Sequence, residues 1–561
     1  MISKGTISKR KISGKDYYYH QYLENGKQVS KVISEFDAYR LGFSIYFKGE
    51  DDFLNHEFHN DVSYGMRLYA LSSAFKKYKK RFIFKDIDNF IKDDSSFGKL
   101  LVLYGLRRTG KTTLMFQEVN EFSIKDFSKV AYIKCSSSSS MYKLFQDLEY
   151  LTDNHFKYIF IDEVTLLEDF ITLSSTLSDI FALKAKIILT GTDSLGFMIA
   201  SHHEIYDRVT FVHTTYIPFK EFSYILNLNS VDKYIEYGGT MSFEGIDYNK
   251  VVMVNNNYVN EYVDSSIVHN IVHSLRVYKD GKYFLNLYDL YEKNELVNVI
   301  NRVIEDTNHR FAISVIENEF KSHDYGSLKH LLLLPNNYAK FGDILEKVDE
   351  EKLVSDLMNA LSIINKEKQT HKIDDDTLKE VEEFLKELDV IDYVKEINIG
   401  SVKENKKVVF IQPGLRYSQV KELINILLKD ESLQKYDQII LDALQEKLLS
   451  DVKGKMIEEL VLYETTIKNN RTFKLYFSYN GEFDMVSLFK EENDFYSNVY
   501  EIKYSSIVDK NQYRFINDKN LCEEFENKYY PIKDRGVIYR GENTKINDIY
   551  YINIEDYLKC I

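Results

Sequence analysis

The chain has no tryptophan, only three cysteines, and no apolar run near the roughly 20 residues needed to cross a bilayer. Cys135, Cys522 and Cys560 show neither metal-ligand nor disulfide spacing, which excludes a disulfide framework and suits a reducing cytosol. The first residues lack the pattern of a secretory signal. A cytoplasmic protein with no membrane partner is therefore expected. The net charge of −14 argues against polyanion binding by the surface as a whole, while leaving local basic patches open. The 44 tyrosines, in Lys- and Asn-rich surroundings, fit an A/T-rich coding bias better than functional selection. At 561 residues and 44% hydrophobic content, the chain is too long for one core and should hold about three or four domains.

What is present begins with Lys99 to Thr113, KLLVLYGLRRTGKTT. An apolar run meets Gly105, and Gly110, Lys111 and Thr112 follow at the spacing G-x-x-x-x-G-K-[ST] of a phosphate-binding loop. Glycines let successive N–H groups point into one concavity. Lys111 is expected to reach the β- and γ-phosphates, and the Thr112 hydroxyl to hold Mg²⁺. The helix that opens at Lys111 adds its positive dipole end. Gly105, Arg108, Gly110, Lys111, Thr112 and Thr113 are the candidate nucleotide-binding residues.

Asp162 and Glu163 end a short apolar strand 51 residues after Lys111. The carboxyl end of a parallel strand is where a doubly wound sheet places catalytic groups. Asp162 is expected to bind Mg²⁺ through water and Glu163 to polarise the attacking water, although such a pair also caps helices. A further buried strand, KIILTGTDS, offers Thr190, Thr192 or Asp193 as a γ-phosphate sensor. Between residues 99 and 222, short apolar runs alternate with helical periods, which predicts a parallel sheet with right-handed crossovers.

Residues 1–48 carry nine basic against four acidic residues. Turns at Ser13-Gly14 and Asn25-Gly26 between β-rich runs predict three strands, and a helix starts near Ser34 or Glu35. This pattern, with Tyr17, Tyr18, Tyr19 and Tyr22, resembles the small DNA-binding β modules at the start of phage-type integrases. A basic hairpin domain that binds protein, or nothing, fits it equally. Residues 49–98 read as a connector, with a helix over Ala70–Arg81 ending in KKYKKR, which either touches phosphates or is a solvated charged face.

GLRRTGKTT, IFIDE, IILTGTDS, the segment around Arg208 and IPFKEF, in this order, resemble bacterial and archaeal AAA-type ATPases related to the STAND group. The resemblance implies ATP and Mg²⁺ as cofactors, and an arginine at Arg208 that neutralises γ-phosphate charge in cis or from a neighbour. A surface ion pair is the plainer reading of Arg208. Tyr234 to Gly239 resembles the family's Gly-Gly turn without its usual proline. Residues 223–450 read as helical, with Thr377–Tyr393 as a helix and Val394–Ile399 and Lys407–Ile411 as the wing of a winged helix.

In 451–561, Glu458 on a helix, Glu482 and Asp484 on one strand, and Glu501 and Lys503 on the next resemble the PD-(D/E)xK nuclease fold. Glu458, Asp484 and Glu501 would be metal ligands there, with Lys503 orienting or deprotonating water. Cross-strand ion pairs produce the same pattern. Only one lysine enters this reading, so excess negative charge is expected at the site. The whole reads as an α/β protein. A doubly wound ATPase core leads into a helical and winged-helix middle and a C-terminal nuclease-like domain, behind a small three-stranded β module. The expected function is ATP hydrolysis controlling Mg²⁺-dependent action on DNA. The alternative is a nucleotide-dependent switch that binds DNA or protein and uses the last domain as scaffold, and a protein partner or an oligomer stays open.

Overall fold

The computed structural model describes residues 5–47, 56–167, 170–191, 208–214, 217–239, 267, 285–321, 349–369, 373–400, 404–478 and 481–561. Two compact units emerge. One contains residues 1–215 with 269–283, and the other residues 216–268 with 284–561. Thr192, Asp193, the segment 205–207 and residues 331–348 lie outside the described residues.

In the first unit, β1 (Thr6–Ile12), β2 (Lys15–Glu24) and β3 (Lys27–Ile33) form an antiparallel sheet. Ser13, Gly14, Asn25 and Gly26 all have positive φ, as two-residue hairpin turns require. Helix α1 (Glu35–Tyr46) comes next, capped by the Ser34 side chain, which accepts from the Asp37 N–H. Tyr18, Ala38 and Tyr39 lie in the same hydrophobic cluster as Leu101, Leu103 and Leu114. The β module thus shares a core with the strands and helices beyond residue 99 rather than standing as a separate body.

The segment expected to be a connector is built into that core. Its β4 (Asp61–Tyr64) pairs antiparallel with β6 (Val130–Lys134) and forms one edge of a six-stranded sheet. Buried Asp147 fixes this edge by accepting from the His59 N–H at 2.9 Å and from the Asn60 N–H at 2.9 Å. Helix α2 (Gly65–Ser73) stops at Ser73, short of the expected Arg81, and α3 (Phe84–Lys92) begins after the basic stretch.

The remaining strands are β5 (Leu100–Tyr104), β7 (Tyr158–Asp162), β8 (Lys186–Gly191) and β9 (Val209–His213). The order is β4-β6-β7-β8-β5-β9, parallel apart from β4. Leu100, Leu101, Val102 and Leu103 are wholly buried, because helices cover both faces and parallel strands read as continuous apolar runs. Each such side chain contributes about 1.5–3 kcal/mol by burial. Helix α4 (Lys111–Val119) follows β5, and β8 lies between β5 and β7.

In the second unit, an eight-stranded sheet has the order β11-β10-β12-β13-β14-β15-β17-β16. Its strands are β10 (Ile391–Asn398), β11 (Glu404–Phe410), β12 (Thr472–Tyr476), β13 (Glu482–Glu491), β14 (Asp494–Ile502), β15 (Ile532–Tyr539), β16 (Thr544–Ile546) and β17 (Ile549–Asn553). The expected wing is a correction. β10 and β11 do form a hairpin, but β10 also pairs in parallel with β12 through Glu396↔Lys474, so they extend the C-terminal sheet. The boundary expected at residue 450 falls inside the helix Gln438–Lys468, about 46 Å long at 1.5 Å per residue.

A Gly-Gly turn organises this unit. Gly239 has φ +99, and a Cβ there would lie 2.9 Å from the Gln412 Cα. The Gly414 N–H donates to the Gly238 carbonyl at 3.2 Å. Beside it, Arg416 is buried and ion-paired with Glu459, which also takes Lys407 at 2.9 Å. Removing one partner of such a pair costs far more than the pair contributes, because the other charge is stranded.

Glu464 offers a test. It accepts from the Phe219 N–H at 2.9 Å and from the Tyr234 hydroxyl at 3.5 Å, and burial pushes its pKa from 4.5 up to about 7 against those two bonds. The folded state holds a proton the unfolded chain releases, so stability falls as pH rises from 4.5 to about 7. At about 1.36 kcal/mol per pKa unit, the loss is at most about 3 kcal/mol. Chemical denaturation of Glu464→Gln across this window should show a flatter pH profile than the wild type, and an identical slope would contradict the assignment.

Candidate functional site: a phosphate-binding loop

The loop leaves the carboxyl end of β5 at Gly105, whose φ is +136 and whose missing Cβ would lie 2.7 Å from the Thr214 carbonyl oxygen. Only glycine fits both conditions. Arg108 also has positive φ, and Gly110, at φ +90, is the N-cap of α4. The loop is braced from within. The Thr109 hydroxyl donates to the Leu106 carbonyl at 2.7 Å and lies 2.8 Å from the Thr214 hydroxyl, which donates to the Tyr104 carbonyl at 2.9 Å.

Lys111 is 6% exposed, and its Nζ donates to the Gly105 and Leu106 carbonyls at 2.7 and 2.8 Å. Burial pulls its pKa down to about 8, with Glu163 and Asp162 opposing and Arg107 and Arg81 adding to the shift. A buried ammonium so placed is short of an anion, which is what a phosphate group supplies. Thr112 and Thr113 follow in the first turn of α4.

The Thr112 hydroxyl donates to Asp162 Oδ2 at 3.0 Å, and the Tyr132 hydroxyl to the same oxygen at 2.8 Å. Thr190, on the intervening β8, donates to Asp162 Oδ1 and accepts the Glu163 N–H at 3.2 Å. The strand order explains this network, since β8 lies between the loop strand and the strand that ends in Asp162. Glu163 sits in the left-handed region at φ 58, and its Oε2 is buried without a hydrogen-bond partner among the described residues. Burial raises its pKa, Lys111 opposes, and Asp162 adds to the rise. A buried carboxylate oxygen in this position can accept a hydrogen bond from a water or ligand. The donor set fits a nucleotide with Mg²⁺: glycine-shaped backbone, a buried cation, and a hydroxyl beside a carboxylate.

Sequence reasoning found Gly105 to Thr113, Asp162 and Glu163, and the structure brings them together. It missed Tyr132, whose only signal was its place two residues before the end of β6. Arg208 is a correction. It precedes β9, where Leu100 pairs with Val209 and the Leu100 N–H donates to the Arg208 carbonyl. It therefore lies at the amino end of β5, about 16 Å of strand from the loop at the carboxyl end. Its side chain is 53% exposed and ion-paired with Asp179. The plainer reading holds within one chain, and no cis contact with nucleotide follows.

The C-terminal constellation also converges, with a different charge balance. Glu458, Glu482, Asp484 and Glu501 meet Lys455, Lys474 and Lys503. Lys474 Nζ lies 3.1 Å from Glu482 and from Asp484 and 3.6 Å from Glu458, while Lys503 bridges Asp484 at 2.9 Å and Glu501 at 2.7 Å. Four carboxylates facing three lysines leave one excess negative charge, so the uncompensated cluster expected is corrected. The missed residues are Lys474, legible only as a lysine inside a buried strand, and Lys455, three residues before Glu458 on the same helix. Burial would raise Asp484, but Lys503, Lys474 and the Ile502 N–H hold it below the ordinary carboxylate range. Burial, then Asp484, pushes Glu501 up to about 8. Among the described residues no group of three His, Cys, Asp or Glu side chains is arranged to hold a metal ion, so Glu458, Asp484 and Glu501 do not fit one as they stand.

Residues 98–223 match the family model described as an AAA domain. The chain is 24% identical over 266 residues to an uncharacterized protein of Methanocaldococcus jannaschii, a match spanning 43% of this chain and 57% of that relative. Among solved structures, it resembles a Walker-type ATPase of Pyrococcus abyssi, with 14% identity, TM-score 0.29 and coverage of 61% of this chain and 95% of the other. The Orc1 protein of Aeropyrum pernix, solved in complex with DNA, gives 13% identity and TM-score 0.21, with 65% and 97% covered. Among the described residues no helix is long and apolar enough to cross a membrane. Over residues 98–223 the family match and the loop geometry agree on an AAA-type P-loop domain.

Glu163→Gln keeps the shape of the site while removing the carboxylate expected to act on water. Binding of a fluorescent ATP analogue should change by less than about threefold, whereas phosphate release should slow by about 100-fold or more. Equal losses in both would show that Glu163 holds nucleotide rather than acting on water.

Proposed function

We propose that the chain is an ATP-hydrolysing switch that acts on DNA and whose C-terminal α/β domain is a nuclease-like scaffold. The observation that carries the hydrolytic part is the buried Lys111 ammonium facing Asp162 and Glu163 across the glycine loop. In this reading the loop amides and Lys111 bind the phosphates, and Thr112 and Asp162 hold Mg²⁺. The chemistry a bound Mg²⁺ supplies is neutralisation of the charge on the transferring phosphoryl group. Glu163 orients a water and takes its proton, and Thr190 keeps Asp162 and the Glu163 backbone in place.

DNA is the partner favoured by the N-terminal sheet. Strand alternation and the pairing Arg10↔Tyr17 put Arg10, Lys15, Tyr17 and Tyr19 on one face, opposite buried Tyr18. Arg10 stacks over Tyr19 at 5.2 Å. A face of cations interleaved with aromatic rings suits a phosphate backbone, and a β-sheet can enter a major groove.

The nuclease reading stands second. In its favour are the element order after the helix Gln438–Lys468, with β12, β13 and β14, then the helix Lys519–Lys528 and parallel β15, and the buried Glu501 Oε1, which has no hydrogen-bond partner among the described residues. Against it stands Lys474, whose ammonium lies where a cation would sit.

Both readings are tested with the full chain, ATP, Mg²⁺ and supercoiled DNA. The switch reading predicts hydrolysis that responds to duplex DNA, weakening of DNA binding by about 0.9 log units per phosphate contact for each tenfold rise in salt, and intact DNA at the end. Cleavage that disappears in Asp484→Ala while hydrolysis persists would overturn the scaffold in favour of the nuclease.

A further inference from the structure

The basic stretch Lys76 to Arg81 exposes Lys76, Lys77 and Lys79 but is tied to the rest of the unit. Lys76 pairs with Glu35 of α1, and Lys80 with Glu121 at 2.6 Å. The Gln117 side-chain amide, on α4, donates to the Tyr78 and Lys79 carbonyls at 3.0 and 3.4 Å. Asn120 donates to the Ser72 carbonyl at 2.8 Å. The stretch is therefore a strap tied along the helix that begins at the phosphate loop.

Its last residue reaches the loop itself. Arg81 is 7% exposed, and its Nη1 donates to the Thr109 carbonyl at 2.7 Å. Its Cδ would lie 3.5 Å from a Cβ placed on Gly110. The peptide joining Thr109 to Gly110 is trans and planar, so its carbonyl and its N–H point in opposite directions. Holding the Thr109 carbonyl on the Arg81 side fixes the Gly110 N–H on the other side, where it serves as one of the loop's donors. That loop conformation is uphill for a free chain at Arg108, a non-glycine residue with φ 68. A charge-assisted bond from a rigid guanidinium can hold it. Arg81 also adds positive potential beside Lys111.

We propose that Arg81 is a positioning residue of the nucleotide site, preorganising the phosphate loop through the Thr109 carbonyl. This rests on the nucleotide reading of Lys99 to Thr113. A residue that shapes the loop contributes equally to ground-state and transition-state binding, so its loss raises KM and leaves kcat nearly unchanged. That signature separates it from Glu163, which acts on turnover.

The test compares wild type, Arg81→Lys and Arg81→Gln as full chains, measuring affinity for a fluorescent ATP analogue, KM, kcat and the melting midpoint without nucleotide. Arg81→Gln should weaken nucleotide binding and raise KM by about tenfold or more, with kcat within about threefold of wild type. Arg81→Lys, which keeps the charge but loses the planar fork, should fall between the two. Arg81→Ala, measured alongside, should regain part of its affinity in millimolar guanidinium without a rise in its melting midpoint, whereas a merely structural role would move the two together. If Arg81→Gln melts too low to assay, Arg81→Lys carries the comparison. Wild-type affinity in either folded variant overturns the inference. A wild-type chain that binds no ATP would instead overturn the nucleotide reading beneath it.

Discussion

A buried ammonium with too little negative charge around it is the constraint on which the first unit depends. Lys111 has two loop carbonyls within hydrogen-bond reach, and the carboxylates of Asp162 and Glu163 act on it from farther away. Burying a cation this way is costly unless an anion shares the space, and in the proposed reading that anion is a phosphate group. Gly105 and Gly110 curl the backbone, Thr109 and Thr214 lock it, and the sheet order brings Asp162 within reach of Thr112. The hydrophobic strands matter to function because they hold these few polar atoms at fixed separations.

Much of this was legible in the sequence because it depends on local rules. The phosphate loop follows from glycine's backbone freedom and from a helix start. The hairpins at Ser13-Gly14 and Asn25-Gly26 follow from residues that tolerate positive φ. The continuous apolar runs at Leu100 and Ile187 mark strands buried on both faces.

The features that were not legible depend on pairing at long range. β4 lies in a polar stretch of only four residues, and it joins the sheet because Asp147, 87 residues beyond Asn60, binds the backbone there. Arg208 sits close in sequence to elements of the site, yet register places it at the far end of β5. Lys474 offsets part of the charge of a carboxylate cluster that was read with one lysine, because a strand periodicity does not say which neighbouring strand presents its side chains. The hairpin taken for a wing has the right local pattern and a different sheet partner. Arg81 was hidden in a run of charges of which Lys76 and Lys80 pair with Glu35 and Glu121 at the surface.

The claim that the loop Gly105 to Thr113 turns over nucleotide is tested most directly by steady-state phosphate release from ATP and Mg²⁺, comparing the full chain with Lys111→Ala at matched folding. Measurable release is expected from the wild type, with a loss of about 100-fold or more in the variant. Equal rates in the two proteins would contradict the claim.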